Sequence, residues 1–323
     1  MAQEERKKGL LDSLLEYSRA DIYPMHMPGH KRRNEYLPDA LPFSFDITEI
    51  DGFDDLHHPQ GILRQGMEEA AELYGSRASF YLVNGSTCGI LAGIRACVGN
   101  GDTVLMARNC HKSVYHAVEL NPLRPVYLQP PTDVEFGISG SIFPGQVEQA
   151  LKETPQIRLV IVTSPTYEGI VSDIASIVQI AHQRGIPVLV DEAHGAHLGF
   201  DDNFPQSSVQ AGADLVVHSL HKTLPSLTQT ALLHFSGTLV KNEELMRQLS
   251  IFETSSPSYP LMASMDSCIR LLKREKQQLF SHYCARLGRF DDIACRLQKW
   301  KLLGYGRDKN KRHPAFFARD PGK

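Results

Sequence analysis

Residues 174–199 read "IASIVQIAHQRGIPVLVDEAHGAHLG". Ile174, Ile177, Val178 and Ala181 recur at helical spacing and share one face. Gly185 then provides a helix stop, and Pro187 opens a new element. The run that follows, "PVLVDEA", is short, β-branched and apolar until Asp191. A helix followed by a strand with no polar face predicts a strand buried on both sides, as in a parallel sheet covered by helices.

The same alternation extends outward from this stretch. Strand-like runs occupy 79–83, 103–107, 125–129, 158–163, 187–193, 213–219 and 230–235, and helical patterns lie between many of them. Leu63, Met67, Ala70, Ala71 and Tyr74 predict a helix that stops at Gly75. Together they predict an α/β fold with a mostly parallel, seven-stranded sheet flanked by helices. Before it, Leu10, Leu11, Leu14 and Leu15 form one helical face, and residues 23–33 form an arm broken by Pro24 and Pro28. The acidic segment 46–61 reads as irregular. After the sheet, apolar positions from Met262 to Leu297 fit one long amphipathic helix, or two in succession.

Composition narrows the function classes. The chain has 323 residues and a formal charge of −3, so no basic face for nucleic acid or a membrane surface is expected. The six cysteines are scattered without a CxxC pair, as for reduced thiols in a cytosolic protein. The N-terminal stretch has no apolar core of a secretory signal. No run is long and apolar enough for a transmembrane helix. A cytoplasmic protein is therefore expected.

Ligands of such sheets sit beyond the carboxyl ends of the strands. The first candidates are Asn84, Gly85, Ser86 and Thr87, between a strand and a helix, where backbone N–H groups could meet an anion. A plain Ser/Thr helix cap is the competing reading. His111, Lys112 and Ser113 stand at a second strand-to-helix entry, and His111 offers a flat ring. Residues 162–169, "VTSPTYEG", offer hydroxyls in a turn fixed by Pro165 and Gly169. Asp191 ends an apolar strand, so its carboxylate calls for a cation or several donors. Ala193, Gly195, Ala196 and Gly199 stay small around it, as if something bulky lay against them. Lys222, in "HSLHK", follows another apolar strand with Ser219 and Thr223 nearby. A lysine so placed can lose its proton and attack a carbonyl. The spacings His194-x-x-His197 and His218-x-x-His221, and the pair His57-His58, raise a metal site, but no cysteine pair or HExxH helix accompanies them and none is expected.

These parts complement one cofactor. Pyridoxal 5'-phosphate needs an amine for its aldehyde, a carboxylate for its ring nitrogen, an anion site and a flat group on its ring. Lys222, Asp191, the Ser86/Thr87 turn and His111 answer those needs in turn.

The segments "HMPGHK", "DITEIDGFDDLHHPQG", "NGSTCG", "RNCHKS", "SPTYEG", "DEAHGAH" and "HSLHKTL" resemble the ornithine/lysine/arginine decarboxylase family. The resemblance runs from about residue 20 to the C-terminus. It implies the aspartate-aminotransferase fold, fold type I of the pyridoxal-phosphate enzymes. It also implies that Lys222 forms the Schiff base, Asp191 pairs with the pyridine nitrogen and His111 stacks on the ring. Gly85, Ser86 and Thr87 would bind the phosphate, Ser219 and His221 would lie beside the phosphate and the lysine, and Ala193 and His194 near the ring. Lys222, His111, Asp191 and His221 are the expected catalytic residues. Residues 255–266 would reach a neighbouring subunit's site, implying a homodimer or higher homo-oligomer. Residues 1–45 would be a helix and arm, 46–300 the cofactor-binding large domain, and 301–323 the start of a C-terminal domain that is mostly missing here.

The expected reaction is decarboxylation of arginine, lysine or ornithine to CO2 and an amine, within polyamine-type metabolism. The same fold also serves aminotransferases and other lyases, and a truncated homologue could bind the cofactor without turnover. Glu49, Asp51, Asp54 and Asp55 could meet a substrate cation or form a solvated acidic loop.

Overall fold

The computed structural model describes residues 8–33, 41–294 and 296. Two helices, α1 (Leu10–Arg19) and α2 (Ile62–Tyr74), precede the sheet. The chain then runs β1 (Ala78–Leu82), α3 (Gly85–Cys97), β2 (Thr103–Ala107), α4 (Lys112–Leu120) and β3 (Arg124–Leu128). A small ribbon, β4 (Thr132–Asp133) and β5 (Ile138–Ser139), leads to α5 (Pro144–Glu153), β6 (Ile157–Thr163), α6 (Ile174–His182) and β7 (Val188–Asp191). Then come β8 (Leu215–Ser219), the single turn α7 (Leu220–Thr223), β9 (Ala231–Phe235), α8 (Asn242–Phe252) and α9 (Tyr259–Ala294).

Seven strands form one sheet in the order β1-β9-β8-β7-β6-β2-β3. Strands β8, β7, β6, β2 and β3 are parallel neighbours, while β9 is antiparallel to both β8 and β1. The reversal of β9 follows from its connection. A parallel crossover needs a dozen or more residues and usually a helix, and only α7 and a short loop join Ser219 to Ala231. Every parallel strand thus ends on the edge where β9 begins.

The expected helix over 174–181 forms as α6, with Ile174, Ile177, Val178 and Ala181 all buried. Asp173 caps it by accepting the Ser176 N–H at 3.0 Å. Helix α2 stops at Gly75, whose φ of 75° is left-handed and whose N–H closes the last turn onto the Ala71 carbonyl at 2.8 Å. The C-terminal pattern is one unbroken helix, α9, and its expected last position, Leu297, lies outside the described residues, as do 301–323. Ribbon β4–β5 was not foreseen. Its strands are two residues long, and Asp133 holds the turn by accepting the N–H groups of Glu135 and Phe136 at 2.9 and 3.0 Å.

Alternation along the strands divides the core. Leu82 and Leu233 join a large cluster with α3, α4, α5, α6 and α8. Their neighbours Tyr81 and Leu232 join a second cluster with α1, α2 and α9. Among the described residues no helix is long and apolar enough to cross a membrane.

Candidate active site

The site residues gather where the parallel strands end. After β1, Gly85 has a φ of 75° and starts α3, so Ser86 and Thr87 lie in that helix's first turn. The plain capping reading does not hold. Asn84 is the N-cap residue, its side chain does not cap the helix, and its Oδ1 accepts the Thr254 N–H at 3.1 Å instead. The helix start is left with N–H groups that no capping side chain takes, at the positive end of the helix dipole.

Asp191 closes β7 and is 4% exposed. Its Oδ1 accepts the Ala193 N–H at 3.2 Å. Burial pushes its carboxyl upward, while the Ala193 N–H and the charges of Lys222 and His111 pull the other way. A buried carboxylate supported by this one hydrogen bond remains short of donors.

Lys222 stands on α7, just after β8. Its Nζ lies 3.0 Å from His194 Nε2. Burial lowers the ammonium's pKa, and Asp191 opposes that shift. Burial, and then the Lys222 charge, also lower His194. Although solvent reaches the Lys222 side chain, loss of water around it outweighs its attraction to Asp191, which favours a neutral, nucleophilic amine.

His111 is the N-cap of α4. Its Nδ1 accepts the Ser113 N–H at 3.2 Å and is 2.9 Å from Ser113 Oγ. Burial, the largest influence, lowers its pKa, as do Lys222 and Lys112, against the pull of Asp191. His221 Nδ1 lies 3.1 Å from the Thr230 carbonyl, so Nδ1 is the donor in that contact. Ser219 Oγ, at the end of β8, and Asn109 Oδ1, after β2, are buried without a partner. Such orphaned atoms at a strand edge fit a polar ligand held there. An amine, a buried carboxylate, a free helix N-terminus and unpaired polar atoms on one edge together match the functional groups of pyridoxal phosphate.

Several sequence expectations need correction. Gly195 and Gly199 are not small to admit a ligand. A Cβ on Gly195 would lie 2.6 Å from Glu192 Cγ and 2.8 Å from Pro165 Cδ, and one on Gly199 would lie 2.5 Å from Gln210 Oε1. Their smallness serves internal packing. Asp54 is turned to the start of α2, where it accepts the N–H groups of Gln60, Gly61 and Leu63 at 2.8, 2.7 and 3.2 Å. Asp55 binds the His57 N–H at 2.8 Å and faces His58 Nδ1 at 3.2 Å. Within 162–169, Ser164 and Thr166 accept the N–H groups of Ser172 and Ile170, whereas Tyr167 is 84% exposed and sits edge-on to His194 at 5.5 Å.

The histidine pairs separate. His218 is buried 2.7 Å from Glu192 Oε2 and 3.0 Å from His234 Nε2, while His197 packs edge-on against Phe204. Among the described residues no three potential ligands converge on a metal position. Two buried acids, Glu192 and Glu253, escaped the sequence reading. For Glu192 a signal existed: His218 and His234 are polar residues inside apolar strands, and each needs a buried partner. For Glu253, at the end of α8, there was none.

Comparisons with known proteins bear on the family and the fold. Residues 9–320 match the family described as "Orn/Lys/Arg decarboxylase, major domain". A Bacillus subtilis protein named "Uncharacterized protein YaaO" is 43% identical over 80% of this chain and 55% of its own length. The arginine decarboxylase of Bacillus subtilis is 38% identical over 86% of this chain and 58% of its own. The chain thus spans little more than half the length of these relatives. The crystal structure of Francisella novicida lysine decarboxylase LdcF superposes with a TM-score of 0.83 over 97% of this chain and 47% of that one, at 22% identity, which establishes the shared fold type I. With its full run of strands matched in both sequence and fold, the chain belongs to the Orn/Lys/Arg decarboxylase family.

Proposed function

We propose that the protein is a pyridoxal-phosphate-dependent decarboxylase of a basic amino acid, arginine, lysine or ornithine. The observation that carries this reading is the Lys222–His194 contact of 3.0 Å, on the same sheet edge as buried Asp191. Lys222 would hold the cofactor covalently through Nζ, and Asp191 would face the ring nitrogen. The N–H groups of Gly85, Ser86 and Thr87 would take the phosphate, with Ser219 and His221 beside it. His111, Ala193 and His194 would border the ring. Residues 46–300 would form the cofactor-binding domain on this reading, and 1–45 an N-terminal helix and arm. Residues 255–266 would face a second subunit in a cytoplasmic homo-oligomer.

When bound, pyridoxal phosphate supplies an electron sink for the pair left as the Cα–carboxylate bond breaks and CO2 departs. Asp191 would keep a proton on the ring nitrogen by its negative charge. Burial raises the Asp191 carboxyl, so a cationic partner is what keeps it ionised. Lys222, with its lowered pKa, can stand neutral to bind the cofactor. It can then carry a proton at Nζ and deliver it to Cα, with His194 Nε2 within reach to exchange that proton.

The test is to incubate purified protein and pyridoxal phosphate with each basic amino acid and measure CO2 and amine. Release of both from at least one substrate is expected, with loss of the visible cofactor band in Lys222→Ala. A keto acid in place of CO2 would assign a transaminase. An unchanged band in Lys222→Ala would remove Lys222 from its role. A cofactor band with no product from any of the three substrates would assign a cofactor-binding homologue without turnover.

A further inference from the structure

The turn from Val83 to Thr87 is held from behind by residues outside its own strand. Helix α8 ends at Phe252, and the next two residues reach across to the turn. Glu253 Oε1 accepts the Val83 N–H at 2.9 Å, and the Thr254 N–H donates to Asn84 Oδ1 at 3.1 Å. From the loop before β9, Gln229 Nε2 donates to the Val83 carbonyl at 2.6 Å. Both backbone polar groups of Val83 are therefore taken by side chains. His57 Nε2 lies 2.9 Å from the Thr254 carbonyl and fixes the far side of the clamp.

Glu253 is 9% exposed, and among the described residues no cation pairs with it. The titratable group that faces it is Cys88, on the first turn of α3, with Sγ 3.9 Å from Oε1. Burial pushes the Cys88 thiol far upward, so it stays protonated and brings no charge. The other members of the clamp, Val83, Asn84 and Gln229, are neutral.

We propose that Glu253 is a positioning residue for the anion turn and that it takes up a proton when a phosphate dianion binds there. The proposal rests on the reading of Ser86 and Thr87 as the phosphate site. Two negative groups held by one turn, Glu253 at the Val83 N–H and a phosphate at the Ser86 and Thr87 N–H groups, repel each other. A proton on Glu253 removes that repulsion, and the remaining carbonyl oxygen still accepts the Val83 N–H. Burial outweighs the Val83 hydrogen bond and raises the Glu253 carboxyl to about 7, so the proton is available near neutral pH.

The test is calorimetric titration of the full chain with pyridoxal 5'-phosphate across the neutral range, wild type against Glu253→Gln. The glutamine keeps the acceptor and mimics the protonated acid. Dividing the two dissociation constants cancels the ligand's own phosphate ionisation, near pH ~6, and the titration of Lys222. The ratio of wild type to variant is expected to grow about three- to tenfold from about pH 6 to about pH 8.5. A ratio independent of pH overturns the proposal. So does the same growth with pyridoxal, which lacks the phosphate.

If Glu253→Gln does not fold, wild type alone decides. Titrations near pH ~7.5 in two buffers of different ionisation enthalpy report net proton uptake, and uptake must be larger with pyridoxal 5'-phosphate than with pyridoxal. Equal uptake overturns the proposal. The visible cofactor band reports Lys222 separately. A missing band with intact phosphate-dependent binding removes Lys222 from its role and leaves Glu253 in place. A chain that binds neither pyridoxal 5'-phosphate nor inorganic phosphate overturns the phosphate turn and this proposal together.

Discussion

Glu192→Ala should destabilise the protein severely, whereas Glu192→Gln should cost markedly less. Glu192 is 1% exposed. Its Oε1 accepts the Ser208 hydroxyl at 2.7 Å and the Ser208 N–H at 3.0 Å, and its Oε2 lies 2.7 Å from His218 Nε2. From His218 the contacts continue, with Nδ1 3.0 Å from His234 Nε2, and His234 Nδ1 2.7 Å from Ser79 Oγ, which lies 2.9 Å from Ser76 Oγ. Truncation to alanine strands the Ser208 N–H and the His218 ring N–H in a dry core, while the Ser208 hydroxyl can turn to another acceptor. Each stranded donor costs about 1–3 kcal/mol. The total is about 2–6 kcal/mol. A typical domain has only about 5–15 kcal/mol to lose.

Glutamine has a different outcome because the contacts can reverse. Its carbonyl still serves Ser208, and its N–H₂ donates to His218 Nε2. His218 then donates from Nδ1 to His234 Nε2, His234 donates from Nδ1 to Ser79, and Ser79 donates to Ser76. Burial and the His218 charge drive the pKa of His234 down, so that ring is neutral and can take either tautomer. The donors that Glu192 served keep acceptors, one N–H of the glutamine amide is left without one, and the loss should be about 1–3 kcal/mol for that single stranded donor. Urea unfolding followed by circular dichroism measures both variants. Equal destabilisation by Ala and Gln would refute the reversal. A loss below about 1 kcal/mol in Glu192→Ala would refute the claim that this network holds β7 to β8.

Two further predictions concern the frame around the site. Burial tends to raise Asp54, but the N–H groups of Gln60, Gly61, Asp55 and Arg64 outweigh it and lower its carboxyl. An acid with a depressed folded-state pKa stabilises the fold above its ordinary value of 3.8 and loses that contribution as pH falls through the folded value. Asp54→Asn should therefore lower the melting temperature at neutral pH and flatten its fall below about pH 4, and parallel acid profiles would contradict this. A Cβ on Gly66 would lie 2.5 Å from Tyr81 Oη and 3.0 Å from Asp266 Oδ1. Gly66→Ala should cost about 1–2 kcal/mol, because overpacking exceeds the gain of about 1 kcal/mol in helix propensity, and a stabilised variant would show that Tyr81 yields.

Much of this architecture was legible because buried strands leave a plain mark. Runs such as "LVIV" and "VLV" have no polar side, so strand positions and the mostly parallel sheet could be read directly. Lys222 and Asp191 were legible for the same reason, as charges at the ends of such runs. The direction of β9 was not, because it depends on the length of one connection. The glycines after Asp191 were misread, because nothing local separates space kept for a ligand from space filled by Glu192 and Gln210. The acidic loop was ambiguous until Asp54 was seen to hold the start of α2. Glu253 was invisible, since its partner Val83 is distant in sequence and the contact is to backbone.

The adjacent acids Asp191 and Glu192 show how one strand end serves both purposes. Successive residues leave a strand on opposite sides, so neighbours in sequence need not share an environment. Glu192 turns toward Ser208 and His218 and is saturated by donors. Asp191 turns toward the edge that carries Lys222 and His111 and has the Ala193 N–H alone. Burial without enough donors is costly for a carboxylate unless a cation completes the site. The saturated acid is thus the one that ties the strands together, and the under-supplied acid is the one with capacity for a ligand. Counting donors separates the two roles where the dipeptide "DE" cannot. It also explains why Glu192→Gln can cost less than Glu192→Ala, while a neutral residue at Asp191 would remove the negative charge that, on the proposed reading, faces the cofactor's ring nitrogen.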